Sequence, residues 1–174
     1  CDALARQRLR PHRSSSVFGV PPRAVTRTCD YAQANALSRE LTGKGLSKQS
    51  FYLFPKIREL DDWLVNHERQ GEWYECHPEV AFAQLNKGIA LKASKKTEIG
   101  QAERISLLAD LSGVDVALKR ASQDYKRKDL MLDDCIDALV CLLTAERDQQ
   151  QRIVIPAKPD KDDRGLTMAI VAPA

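Results

Sequence analysis

The segment from residue 130 to 147 constrains the fold of this chain more than any other. Leu132, Ile136, Leu139 and Leu143 recur every three or four residues, and Val140 and Leu142 widen that stripe toward burial on all sides. Such a helix needs packed layers around it. The layers the sequence offers include three short strands: residues 72–77 (EWYECH), Arg152 to Ile155 (RIVI) and Met168 to Ala172 (MAIVA). Helices, a strand, further helices and then two strands predict an α/β or α+β layer with few strands. A length of 174 residues with 43% hydrophobic and 29% charged side chains suits one soluble domain over 1–174.

Local signals punctuate the rest. Thr28 or Asp30 caps a helix that runs through Ala32, Ala34 and Leu37 to Leu41 and ends at Gly43 and Gly45. Ser47 opens a longer helical stretch with Phe51, Phe54, Ile57, Leu60 and Leu64 on one stripe, which Pro55 kinks or splits and Gly71 closes. Pro78 starts a short helix through Val80, Phe82 and Leu85 that Gly88 stops. Leu91 to Thr97 reads as a basic loop, 100–111 as a helix, 114–128 as a polar stretch with one short helix, and Lys158 to Arg164 as a charged turn.

Several function classes drop out. A net charge of +3 permits contact with a polyanion without pointing to one. The sequence holds no run of about 18 apolar residues, so no membrane span is expected. Five scattered cysteines without a C-x-x-C pair predict free thiols in a reducing, cytoplasmic setting. Structural zinc is disfavoured, because His12, His67 and His77 lack ligand spacing.

Chemistry concentrates at two places. Glu75 and His77 alternate onto one face near the C-terminal end of the first strand, where open α/β sheets place ligands. A strand ending in polar residues that face water explains the same pattern. Asp134 and Asp137 stand at i and i+3 on the 130–147 helix. The helix dipole accounts for Asp133, and in part for Asp134, but less well for Asp137, which lies deeper among apolar residues. Joined with Glu75, these acids are the oxygen donors that Mg²⁺ or Mn²⁺ favours, and two such ions roughly 3.5–4 Å apart serve in-line phosphoryl displacement. Lys92, Lys95, Lys96 and Arg104 are the basic candidates for phosphate, with a solvated loop as the plain alternative. Cys76 and His77 are neighbours on a strand and point to opposite faces, so they form no catalytic pair.

The order of motifs resembles a bacterial and archaeal family of uncharacterised proteins, a domain of unknown function described as predicted RNase H-like nucleases. The residues that carry the likeness are CDALARQRL with SSSVFGVPPR, LSKQSFYLFPKIREL, ECHPEVAF, SKKTEIGQAER and DDCIDALVCLLTAER, from residue 2 to about 147. The resemblance implies an RNase H-like mixed sheet flanked by helices, with acids gathering metal ions. Glu75 would match the acid at the end of the fourth strand, and Asp137 with Asp134 the acids of the last helix. Enzymes of that fold also use an aspartate on the first strand. The chain opens on motifs that should follow the early strands, so it is expected to be an N-terminally truncated form whose first three strands are absent.

Three readings follow. The first is a Mg²⁺- or Mn²⁺-dependent nuclease in which Glu75, Asp134 and Asp137 hold metal, Lys95, Lys96 and Arg104 meet phosphate, and His77 orients a ligand. The second is a non-catalytic binding or interaction module that keeps the fold. The third is an enzyme or binder for a small phosphorylated substrate in place of nucleic acid.

Overall fold

The computed structural model describes residues 1–66 and 73–174. The helix stop at Gly71, the strand start at Glu72 and the candidate His67 lie outside the described residues. Along the chain run α1 (Asp2–Arg8), α2 (Arg23–Thr26), α3 (Tyr31–Thr42), α4 (Lys48–Tyr52), α5 (Phe54–Asn66), β1 (Glu75–Cys76), α6 (Pro78–Leu85), α7 (Glu98–Ser106), α8 (Val114–Asp124), α9 (Leu132–Glu146), β2 (Arg152–Ile155) and β3 (Ile170–Pro173). The protein is thus mixed α and β, mostly helical. Read from sequence as one domain, the chain gathers into two compact units: Cys1–Val17 with Tyr74–Ala174, and Phe18–Trp73.

The smaller unit, Phe18–Trp73, follows its sequence signals closely. The Asp30 side chain accepts from the Gln33 N–H at 2.9 Å and caps α3, and Gly43 ends it in the left-handed region at φ 71°. Ser47 caps α4 by accepting from the Ser50 N–H at 3.0 Å. Pro55 splits the expected long helix into α4 and α5, because a proline inside a helix lacks the N–H its turn requires. Phe54, Val25 and Ala34 form the core, with Phe51 edge-on to Phe54 at 5.3 Å. Leu60, expected on the buried stripe, is exposed.

In the larger unit, β3 is the central strand of a three-stranded sheet ordered β1-β3-β2. It pairs parallel with β1 (Glu75↔Ile170, Cys76↔Val171) and antiparallel with β2 (Ile153↔Ala172). Ile170, Val171 and Ala172 are all buried. Helix α6 packs on β3 and on α9, which also packs against β3, α7 and α8. Both faces of α6 are covered, so Val80, Ala81, Phe82 and Ala83 are buried in succession.

Two expectations about this unit are corrected. The strand expected over 72–77 shrinks to Glu75–Cys76, since β1 meets only the first two residues of β3 and His77 already serves as the N-cap of α6. Trp73 and Tyr74 are accordingly exposed; Trp73 packs on Trp63 at 4.7 Å, and the Arg152 guanidinium lies 5.0 Å over the Tyr74 ring. The buried face of α9 is also rotated. It carries Asp133, Ile136, Val140, Leu143 and Thr144, whereas Leu132 and Leu142 are exposed. Asp133 shares that face because positions i, i+3 and i+7 align on a helix. Among the described residues no helix is long and apolar enough to cross a membrane.

Candidate functional site

Lys95 is the hub. Its Nζ lies 2.6 Å from Asp137 Oδ2, 3.2 Å from Asp133 Oδ2 and 3.9 Å from Asp134 Oδ1, so one ammonium serves three carboxylates of α9. Exposure is graded across the group: the side chains of Asp133 and Asp137 are 7% and 19% exposed, Lys95 32% and Asp134 59%. The buried members hold the ammonium and Asp134 opens toward water.

The loop that delivers Lys95 is fixed from two sides. Arg13 Nε donates to the Leu91 carbonyl at 3.1 Å and its Nη2 to the Lys92 carbonyl at 2.6 Å. From within, Arg104 Nη1 donates to the Gly100 carbonyl at 2.8 Å and the Ala93 carbonyl at 3.3 Å. Its Nη2 reaches both Glu79 oxygens, at 2.7 and 2.9 Å. Arg104 is 0% exposed, so the expectation that it meets phosphate gives way to a structural role behind the loop. Thr97 caps α7 by accepting from the Gly100 N–H at 3.2 Å while its hydroxyl donates to the Ser94 carbonyl at 2.8 Å. Gly100 is required by close approach: a Cβ there would lie 2.0 Å from the Ser94 carbonyl oxygen.

Charge balance sets the protonation of the cluster. Burial raises the Asp137 carboxyl above the ordinary aspartate range; Lys95 works against that shift and the Glu79 charge adds to it. For Lys95, burial opposes the ammonium, yet hydrogen bonds and charges from Asp137 and then Asp133 outweigh it, and its pKa is raised. Both partners therefore shift upward, although their attraction alone would lower Asp137; for Asp137 burial is the larger effect. Asp137 Oδ1 is buried without a hydrogen-bond partner among the described residues.

Glu75 stands apart. The residue keeps contact with solvent, but partial burial raises its carboxyl pKa, helped by the nearby Asp2 charge and countered by the N-terminal amine. Those neighbours belong to the start of the chain, whereas Asp137 answers to Lys95, Glu79 and Arg104. His77 Nε2–H donates to the Ser16 carbonyl at 3.2 Å, and its Nδ1 is buried without a partner among the described residues. Lys96 is exposed beside the cluster.

The structure thus brings Lys95 to Asp134 and Asp137 and adds Asp133, with Glu79 acting on Asp137 through its charge, and among the described residues no hydrogen bond or ion pair joins Glu75 or His77 to these acids. Among the described residues no group of three His, Cys, Asp or Glu side chains is arranged to hold a metal ion. At the α9 acids the cation position is filled by the Lys95 ammonium. The α9 acids offer hard carboxylate oxygens, of which Asp137 Oδ1 is buried without a hydrogen-bond partner among the described residues. Accepting an ion there requires Lys95 to withdraw.

The chain belongs to a family described as a protein of unknown function (DUF429), whose model matches residues 1–161. No curated protein and no solved structure matches the chain.

Proposed function

We propose that the protein is a Mg²⁺- or Mn²⁺-dependent nuclease of RNase H-like type whose working acids are Asp133, Asp134 and Asp137 of α9. The observation that carries this reading is one Lys95 ammonium held by three carboxylates, a cation position with surplus negative charge. An ion bound there would supply activation of a water and relief of charge on the leaving oxygen. Asp137 and Asp133 would hold it from the buried side, with Asp134 at the mouth. Lys95, displaced from the carboxylates, would turn to a phosphate oxygen, and exposed Lys96 would add attraction for the backbone. Arg104 would act only as a positioning residue, holding the 91–97 loop through Ala93 and Gly100. Glu75, at the end of β1, would enter this scheme as a further carboxylate ligand if its side chain reaches the bound ion.

The test is a Mn²⁺ titration of the full chain followed by spin resonance or calorimetry, paired with cleavage assays on single-stranded, duplex and branched DNA and on RNA. Lys95→Ala should tighten Mn²⁺ binding by roughly tenfold, since it removes the competing cation. Asp137→Asn should abolish binding and reduce cleavage by about 100-fold or more. Absence of saturable Mn²⁺ binding in both the wild type and Lys95→Ala would sink the proposal. The reading as a non-catalytic binding module, favoured by the Lys95 ammonium that already fills the cation position, would then stand.

A further inference from the structure

Cys76 of β1 lies against the turn of α9 that carries Cys141 and Thr144. Cys76 Sγ donates to Thr144 Oγ1 at 3.7 Å, and the Thr144 hydroxyl spends its own proton on the Val140 carbonyl at 2.7 Å. Thr144 and Cys141 stand at i+3 and i on one face of α9, so the Cys76 thiol that meets Thr144 faces the turn that carries Cys141, and the two thiols perturb each other's titration. Two sulfurs from elements 65 positions apart in sequence are thereby brought to one turn of α9, each only partly buried and so reachable by a small reagent. No part of the phosphodiester scheme uses either of them.

We propose that Cys76 and Cys141 form a redox-active dithiol that a hydroperoxide converts to an intrachain disulfide, pinning β1 to α9. The chemistry balances in two steps. The Cys76 sulfur attacks the peroxide oxygen, the O–O bond breaks, and a sulfenic acid and one molecule of water (or alcohol) result. The Cys141 sulfur then displaces the hydroxyl from that sulfenic acid, forming the S–S bond and releasing a second water. In sum, two thiols lose two electrons and two protons, and the peroxide takes up both. The bond would tie the strand that carries Glu75 to the helix turn that follows Asp137. Oxidation would therefore tighten the scaffold of the acidic site without consuming any of its side chains.

The experiment uses the native full chain, treated with about one equivalent of hydrogen peroxide, quenched with a thiol alkylator and digested without reductant. The expected result is a cross-linked pair of peptides containing Cys76 and Cys141, lighter by about 2 Da than the two free peptides. Cys1, Cys29 and Cys135 should remain mainly alkylated over the same period. In Cys141→Ser, the Cys76 sulfenic acid should persist and be captured by dimedone. Equal alkylation of Cys76 and Cys141 before and after treatment would overturn the proposal, as would cross-links spread evenly over all five cysteines. The mass readout needs no catalytic activity, so it stands or falls independently of the nuclease reading.

Discussion

Two cation–carboxylate clusters stand back to back in the larger unit, and their difference separates scaffold from site. The Arg104–Glu79 pair is closed: one guanidinium meets both oxygens of one carboxylate, with charges matched and both side chains nearly sealed from water. The Lys95 cluster is open: one ammonium faces three carboxylates, and exposure rises from Asp133 to Asp134. A matched buried pair offers a ligand nothing. An unmatched, partly exposed one retains negative charge that an incoming cation can use.

The contrast can be broken most severely at Arg104. Arg104→Met leaves Glu79 buried without its partner, and the expected loss is about 3–5 kcal/mol in chemical denaturation. Removing both charges in Arg104→Met with Glu79→Leu should recover much of it, which marks the pair as scaffold; equal losses in single and double variants would contradict that assignment. Gly100→Ala comes next. Its Cβ would strike the Ser94 carbonyl, so a loss of roughly 1–3 kcal/mol is expected, with faster amide exchange across 91–97 as the Lys95 loop shifts. The smallest effect is electrostatic. Because folding raises the Asp137 pKa, its stability contribution is full at acid pH and is lost as pH rises through the folded value. Asp137→Asn should therefore melt slightly above wild type at neutral pH, and the gap should close as pH falls below the ordinary carboxylate range. A gap that widens on acidification would show the acid to be stabilised as a carboxylate after all.

Much of the fold was legible where a local signal decides alone: the Asp30 cap, the Gly43 stop, the break at Pro55, the start at Pro78. Where tertiary packing decides, reading faltered. Asp137 stood out because an acid that deep in an apolar helix demands a partner, but its partner Lys95 sits in a loop whose course no periodicity reveals. Glu79 lies in the first turn of α6, where the helix dipole alone would explain an acid. The run Val80–Ala83, apolar on every side, was the available sign that its helix is covered all round, so that an acid there must be paired internally. Arg104 follows Gly100 by one helical turn, and that small residue marks a face pressed against backbone. The hydrophobic stripe of α9 was misphased because Leu132 and Leu142 lie exposed while Asp133 and Thr144 are buried, a reversal that residue polarity alone argues against.

The central position of β3 has a temporal consequence. Its partner β1 lies about 95 residues earlier, so the parallel pairing closes one of the longest loops in the chain. During synthesis α6 and α9 emerge with their sheet-facing sides uncovered, because the strand they cover is made after both. Assembly of the larger unit is then gated by β3, and the nascent intermediate that waits for it displays the apolar faces that chaperones recognise.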